Sequence, residues 1–226
     1  MRSNLYLMAG GRGFDGAGCL KRIFAELGFV NPRIACIGTA NGEDRAFHRY
    51  MGDMFLPAGA KETELVHLLG HAQGTEEARR QLIECDAIFV SGGEVEDGMV
   101  GIPKDIRVLL RQLYEQGKPF ISVSAGTIML GIAWPHWDDE DAHPEDAVLF
   151  DCLGFAPTIF DTHCEGEDWI ELRKAVELSP EGFVGYGIPS GGMVIVRPDG
   201  TLSPTIPLDA YRSEGGKAVY IGKYKG

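Results

Sequence analysis

Short apolar segments alternate with longer segments of helical periodicity along the chain as far as Leu130. The short segments predict buried strands at residues 5–9, 33–38, 64–69, 87–90 and 119–123. The longer segments predict helices near 19–27 and 43–55, from the Thr75 cap to residue 84, and from Pro103 to residue 117. The strands are continuously apolar, as expected when helices cover both faces of a parallel sheet. The pattern therefore predicts an α/β fold.

The pattern changes beyond Leu130. Residues 136–146 form an acidic segment that predicts a loop, and an apolar run at 158–160 leads to His163. A helix is predicted at about 168–178, and the tail from 183 to 224 predicts short strands and hairpins. No repeat, low-complexity tract or linker divides the sequence. We therefore expect residues 1–226 to form a single three-layer α/β/α domain with a mostly parallel central sheet.

Charge and cysteine content narrow the range of partners. The chain has 21 Lys and Arg against 33 Asp and Glu, a formal net charge of −12. Nucleic-acid binding requires a basic stripe, and none is visible. The N-terminus lacks the features of a signal peptide, and no apolar run approaches the roughly 18 residues that span a bilayer. We therefore expect a cytoplasmic protein that binds neither nucleic acid nor membrane.

The five cysteines are scattered, and no pair has C-x-x-C spacing. Reduced thiols are the simplest interpretation, so we expect no disulfide. A metal site built from His163, Cys164 and Glu165 has no recognised ligand spacing. We therefore expect no metal and no cofactor.

Ser124 is the sharpest chemical signal in the sequence. It lies between the predicted strand 119–123 and a helical pattern that begins at Ala125. A serine at a strand-to-helix turn projects its hydroxyl above the sheet, and Ser122-Val123-Ser124-Ala125-Gly126 resembles the G-x-S-x-G nucleophile elbow. The same position also suits a serine that caps the helix. The elbow alone leaves both interpretations open.

Two further segments are expected at the same edge of the sheet. Ser91-Gly92-Gly93-Glu94 follows the strand that precedes the strand of Ser124, so its amides are candidates for half of an oxyanion hole. Taken alone, this segment is an ordinary turn. His163 is the best-placed base for Ser124, whereas His136 and His143 in the acidic segment are expected to be solvated.

A competing hypothesis rests on the glycines that follow the first strand. Gly11-Arg12-Gly13-Phe14-Asp15-Gly16 matches the G-x-G-x-x-G pattern of dinucleotide-binding sites. An acidic residue at the end of the next strand would complete such a site. That strand ends instead in Ile37-Gly38-Thr39-Ala40-Asn41. Nucleotide binding is therefore the weaker hypothesis.

Taken together, these segments resemble the dipeptidase E and cyanophycinase family of serine peptidases, a branch of the class I glutamine amidotransferase-like fold. The order and spacing of the motifs are more specific than any one of them. The matching segments are Ile88-Phe89-Val90-Ser91-Gly92-Gly93-Glu94 (family G-G-G-N), Val123-Ser124-Ala125-Gly126 (W-S-A-G), Phe160-Asp161-Thr162-His163 (D-P-H or D-Q-H), Gly187-Ile188-Pro189-Ser190-Gly191-Gly192 (G-L-P-E-G or G-I-D-E-G) and the C-terminal stretch 212–219.

The resemblance implies a flavodoxin-like sandwich in which Ser124 is the nucleophile and His163 the base. It places the oxyanion hole at the amides of Gly92, Gly93 and Ala125. The third catalytic residue of the family is a glutamate in the late segment.

This sequence departs from the family pattern at several positions. The residue at the position of the catalytic glutamate is Ser190, so Glu165 or Asp139 is a candidate substitute acid. Glu94 replaces the family's asparagine. The arginine that aspartyl-specific members carry after the histidine is missing, so recognition of an N-terminal aspartate is not implied.

The leading hypothesis is a serine-type hydrolase, a peptidase that acts on short peptides or small amides through Ser124 and His163. One alternative is a catalytically silent amidotransferase-like binding protein. Another is a nucleotide-binding enzyme that uses Gly11–Gly16. The sequence allows a homodimer without fixing the oligomeric state.

Overall fold

The computed structural model describes residues 2–136 and 146–226. The helices are α1 (Gly16–Leu27), α2 (Arg45–Ala58), α3 (Glu76–Glu84), α4 (Val95–Gly101), α5 (Lys104–Glu115), α6 (Ala125–Met129) and α7 (Ile170–Glu177). The strands are β1 (Leu5–Met8), β2 (Arg33–Ile37), β3 (Glu62–Val66), β4 (Ala87–Val90), β5 (Phe120–Val123), β6 (Ala133–His136), β7 (Val148–Asp151), β8 (Phe160–Thr162), β9 (Val184–Ile188), β10 (Met193–Val196), β11 (Leu202–Pro204), β12 (Leu208–Glu214) and β13 (Lys217–Tyr224).

The central sheet has seven strands in the order β11-β10-β1-β5-β4-β2-β3. Strands β1, β5, β4, β2 and β3 run parallel, and β10 and β11 add antiparallel strands at one side. The predicted mostly parallel α/β sheet is therefore confirmed. Because β4 and β5 are parallel neighbours, their carboxyl ends meet at the same edge, and this places Gly92 beside Ser124.

Helices cover both faces of the central sheet, because successive side chains of each strand point to opposite faces. Tyr6 and Met8 of β1 pack with α1 and α2, whereas Leu5 and Leu7 belong to the core that α3, α5 and α6 cover on the other side. The strands are continuously apolar because both faces are buried. This arrangement is the predicted three-layer sandwich.

A second sheet, in the order β13-β12-β9-β8, supplies the other half of the site. Strands β8 and β9 are parallel, with Thr162 opposite Ile188, so the residues that follow them emerge side by side. The prediction of strands and hairpins in the tail is confirmed. Its division between two sheets was not predicted, because β10 and β11 join the central sheet.

Two elements near the site are absent from the sequence prediction. Helix α4 is short and contains Gly98 and Gly101, so it has little helical periodicity to detect. Strands β6 and β7 pair as a hairpin, with Trp134 opposite Phe150. The sequence predicts only an acidic loop at 136–146 in this part of the chain.

Helix α6 approaches the end of β4 so closely that only glycine fits at the contact. A Cβ atom on Gly126 would lie 2.2 Å from the carbonyl oxygen of Val90 and 2.7 Å from that of Ser91. Both neighbours are backbone atoms of a strand end, so neither moves without distorting the sheet. Gly126 therefore fixes how far α6, and with it Ser124, projects from the sheet.

We expect Gly126→Ala to lower the free energy of unfolding by about 1–3 kcal/mol, the usual cost of overpacking. Urea denaturation measures this change. Gly166→Ala is the matched control, because a Cβ there meets nothing within 4 Å and its φ is not in the left-handed region. The control should be neutral or stabilising. Equal stability of both variants would contradict the close packing of α6.

Candidate active site

Ser124 occupies a strained turn between β5 and α6. Its backbone angles are φ 52° and ψ −126°, a region that residues other than glycine seldom occupy. The predicted strand-to-helix turn is confirmed. Although Ser124 is the N-cap residue of α6, its side chain makes no capping hydrogen bond. The hydroxyl is therefore available for another partner, and the capping interpretation is not supported.

His163 follows β8 and supplies that partner. Its Nε2 atom lies 2.8 Å from Oγ of Ser124, and the predicted approach of these side chains is confirmed. The His163 backbone has φ 49°, and its amide donates to the carbonyl of Ile188 at 3.0 Å. The parallel pairing of β8 with β9 thus holds the histidine at the strand end. A histidine in the left-handed region is uncommon.

Ser190 follows β9 and lies next to His163. A Cβ atom on Gly11 would lie 2.7 Å from Oγ of Ser190 and 2.8 Å from Cβ of His163, so the glycine-rich loop packs directly on both residues. Gly11 also has φ 78°. The close packing and the positive φ both require glycine at position 11, so its presence does not depend on nucleotide binding.

The carboxylate of Asp15 occupies the place at the start of α1 where a bound phosphate would be expected. Its Oδ1 atom accepts a hydrogen bond from the amide of Gly18 at 2.9 Å. A carboxylate at this position would repel the negative charge of a phosphate. The part of the Gly11–Gly16 loop that contacts the site is Gly11, which packs on His163 and Ser190.

Glu165 is the carboxylate that the structure brings to Ser190 and His163. Its Oε1 and Oε2 atoms accept from the Ser190 amide at 3.2 and 3.3 Å. Burial alone would raise the pKa of Glu165, but hydrogen bonds from Ser190 and its own backbone and the nearby His163 lower the pKa overall. Asp139, the other candidate acid, lies outside the described residues.

Two backbone amides near Ser124 have no hydrogen-bond acceptor among the described residues. Neither the Gly93 amide nor the Ala125 amide donates a hydrogen bond to another residue in the described ranges. Gly93 has φ 141°, and a Cβ atom there would lie 1.9 Å from the carbonyl oxygen of Ala40. A Cβ on Gly92 would lie 3.1 Å from Cβ of Ser124. Gly92 thus lies against Ser124, and Gly93 packs against the backbone of Ala40.

A cavity of about 290 Å³ opens beside Ser124 and His163. Its walls come from the start of α4, from the β6–β7 hairpin, from β8 and from α7. Its charged or titratable lining residues, apart from His163, are Glu94, Glu96, His136, Asp161, Cys164 and Glu171. His136 is half-buried and its Nδ1 atom lies 2.7 Å from Oε2 of Glu96, so the expectation that it is solvated is wrong.

Burial and mutual repulsion shape the ionisation of these groups. Burial, with a smaller contribution from Glu171, raises the pKa of Asp161 to about 7, although the hydrogen bond from the Thr162 amide lowers it. Burial, together with Glu167 and Glu94, raises the pKa of Glu171. The sequence analysis quoted Asp161 only as part of a motif and missed Glu171, because residues this far apart along the chain give no local signal of a shared cavity.

The described part of the chain shows no metal site, disulfide or membrane-spanning helix. Within residues 2–136 and 146–226, no group of three or more His, Cys, Asp or Glu side chains is arranged to hold a metal ion. All five cysteines are free. Burial, Asp161 and Glu171 raise the pKa of Cys164 to about 12, so it is a poor nucleophile. None of the described helices combines the length and apolarity needed to cross a bilayer.

A strained serine at the end of a parallel strand, with a histidine at hydrogen-bond distance, is the arrangement of α/β-type serine hydrolases. Comparison with known families agrees with this class. The chain belongs to peptidase family S51, whose family model matches residues 5–203. No curated protein matches the sequence.

Solved structures share the fold. A peptidase from an acI-B1 Actinobacterium aligns with a TM-score of 0.70 and 14% identity, over 100% of this chain and 98% of that one. A putative peptidase E protein from Listeria monocytogenes EGD-e aligns with a TM-score of 0.65 and 16% identity, over 91% of this chain and 98% of that one. At these identities the comparison establishes the fold.

We expect Asp161→Asn to stabilise the protein increasingly as the pH rises from 4 to 7. The pKa of Asp161 is about 7 in the folded chain, against 3.8 ordinarily. Below about pH 4 the carboxyl of Asp161 is protonated in both the folded and the unfolded chain. Between the two pKa values it is protonated only in the folded chain. The wild-type protein therefore loses stability as the pH rises, by about 1.4 kcal/mol for each pH unit between the two pKa values, and the loss levels off above the folded-state pKa.

Thermal unfolding of wild type and Asp161→Asn across this pH range measures the difference. Asp199→Asn is the control, because the Thr201 amide lowers the pKa of Asp199. Its difference from wild type should stay constant between pH 5 and 8. A constant difference for Asp161→Asn as well would show that Asp161 ionises normally.

Proposed function

We propose that this protein is a serine peptidase that hydrolyses short peptides or small amides, with Ser124 as nucleophile and His163 as general base. The observation that carries the proposal is the 2.8 Å contact between Oγ of Ser124 and Nε2 of His163, made by a serine in a strained turn beside a cavity. The hydroxyl of a free serine is a weak nucleophile, and a positioned base is what activates it.

In the acylation step, Oγ of Ser124 attacks the scissile carbonyl carbon while Nε2 of His163 accepts the hydroxyl proton. The carbonyl oxygen becomes an oxyanion, and we assign its stabilisation to the amides of Gly93 and Ala125, which are free to donate, with Gly92 beside Ser124. Collapse of the tetrahedral intermediate breaks the C–N bond, and His163 gives its proton to the leaving amine.

In the deacylation step, water replaces the amine. His163 accepts a proton from the water, whose oxygen attacks the ester carbonyl of acylated Ser124. Collapse of this second intermediate breaks the bond to Oγ, which recovers the proton from His163. The product is a free carboxylate, and the amides of Gly93 and Ala125 serve both steps.

We assign the third role to Glu165 acting together with Ser190. The imidazole of His163 becomes positively charged during each step, and a nearby carboxylate stabilises that charge. Glu165 interacts electrostatically with His163 and accepts hydrogen bonds from Ser190. Glu165 thus lies far from the family position at 190 along the sequence, but its carboxylate lies near His163 in the structure.

The binding-protein hypothesis remains the second candidate, and one observation favours it. Among the described residues, no carboxylate forms a hydrogen bond with Nδ1 of His163. If Glu165 cannot replace the family glutamate, the cavity would bind a peptide without cleaving it. Labelling of Ser124 separates the two functions.

We expect a fluorophosphonate probe to label wild type at Ser124 and to leave Ser124→Ala unlabelled. His163→Ala should label at least about a hundredfold more slowly, because general-base catalysis contributes about 10²–10⁴-fold. Ser203→Ala in strand β11 is the matched serine control and should label normally. Intact-protein mass spectrometry after labelling gives the rates. A folded wild type that resists the probe as Ser124→Ala does would favour the silent binding protein.

We expect Glu165→Gln to lower kcat/KM for a cleaved peptide by at least about tenfold, because the imidazolium loses a stabilising carboxylate. Ser190→Glu should restore much of this loss in the Glu165→Gln background, since it returns a carboxylate to the family position. Glu167→Gln, in the same turn, is the control and should leave kcat/KM unchanged. Retention of full activity by Glu165→Gln would transfer the role to another acid, with Asp139 tested next.

A further inference from the structure

The cavity beside Ser124 collects carboxylates from three separate elements. Glu94 and Glu96 come from the start of α4, Asp161 from β8 and Glu171 from α7. None of the described residues that line this cavity is a lysine or an arginine. Negative charges gathered from distant parts of the chain raise one another's energy, so the unliganded cavity is electrostatically unfavourable.

Asp161 adds an observation that is independent of the cluster. The residue is only 1% exposed and lines the cavity. Its Oδ1 atom accepts from the Thr162 amide at 2.6 Å, but its buried Oδ2 atom has no hydrogen-bond partner among the described residues. Weak hydrogen bonds from the Cys164 thiol and the Leu172 amide lower the pKa of the carboxyl, but neither satisfies Oδ2. A buried oxygen without a donor is costly, so this atom lacks a partner that a ligand would supply.

The rest of the wall is apolar. Ile128 and Trp134 are buried, Phe150 is half-buried, and all three line the same cavity. Apolar walls with carboxylates among them match a long basic side chain, whose methylene stem packs on apolar surface while its charged end reaches the acids. The Trp134 ring also offers a face suited to a cation. Asp161 and Glu171 are the carboxylates best desolvated for this role.

We propose that this cavity binds the positively charged group of the substrate residue that contributes the scissile carbonyl, and that the protein prefers lysine or arginine there. This proposal rests on the peptidase function proposed above. An ammonium or guanidinium group would donate to Oδ2 of Asp161 and relieve its repulsion with Glu171. A free α-amino group carries the same charge, so the experiment must distinguish it from the side chain.

The experiment compares lysine with norleucine, which has the same chain without the charged nitrogen, in fluorogenic coumarin amides. Each amide is made with a free and with an acetylated α-amino group. We expect kcat/KM to be at least about tenfold higher for the lysine amide than for the norleucine amide. The difference between the lysine and aspartate amides should be larger still. Acetylation should leave the lysine preference intact. If the free amides of lysine and norleucine are cleaved equally well and acetylation slows both, the cation bound is the α-amino group, and the proposed side-chain preference is overturned.

Two variants link the preference to the cavity. Asp161→Asn and Glu171→Gln should each reduce the lysine-to-norleucine ratio at least about fivefold, an effect that general damage to catalysis would not produce. Two independent variants are needed because Asp161 is also buried. Glu177→Gln, on the same helix but outside the cavity lining, is the control and should keep the wild-type ratio. A ratio near one in wild type, or unchanged ratios in both variants, would overturn the proposal.

Failure of the peptidase function would be seen separately. Fluorophosphonate labelling of Ser124 is measured on every sample. Labelling without a lysine preference overturns only the substrate inference. If the wild-type protein neither reacts with the fluorophosphonate nor cleaves the amides, calorimetry of lysine amide and norleucine amide binding tests the cation site directly. Tighter binding of lysine amide, weakened by Glu171→Gln, supports the cation site, and equal binding overturns it.

Discussion

The site depends on the positive φ of Ser124. A residue held in this region costs of order 1–3 kcal/mol, so the surrounding structure must determine it. The Ser124 amide donates to the carbonyl of Met8 at 3.0 Å, and Thr127 donates from its hydroxyl to the same carbonyl at 2.9 Å. Ser122 in turn contacts the Thr127 hydroxyl at 2.9 Å. These bonds join β1, β5 and α6, while Gly126 lets α6 lie against the end of β4. The strain keeps the Ser124 hydroxyl out of the helix cap and directs it to the base.

The second constraint is that two sheets must meet at one edge. The central sheet carries Ser124, and the smaller sheet carries His163 and Ser190 on adjacent parallel strands. Gly11 closes the gap, because any side chain there would strike both His163 and Ser190. Gly11 is therefore a contact point between the two sheets. This explains why a G-x-G-x-x-G pattern arises in a chain whose helix start is already capped by Asp15.

Local features of the sequence predict the central sheet and the serine well. The segments 87–90 and 119–123 are short, apolar and followed by small residues, so both the strands and the sharp turn at Ser124 follow from local rules. The cavity could not be predicted in the same way. Its carboxylates lie on α4, β8 and α7, and their proximity is a product of topology rather than of spacing. The burial of Asp161 has the same origin. Likewise, nothing local indicates that the carboxylate of Glu165 reaches Ser190.

Electrostatics links the cavity to the chemistry. An oxyanion that forms beside Ser124 would experience the carboxylates of the cavity, and in a desolvated site this repulsion is weakly screened. Asp161 reduces the repulsion near neutral pH because its raised pKa, about 7, keeps part of it protonated. A substrate cation would neutralise the same charges while leaving Asp161 ionised. On this argument a basic side chain does more than anchor the substrate. It removes the field that opposes the oxyanion, so its effect belongs partly to kcat and not only to KM.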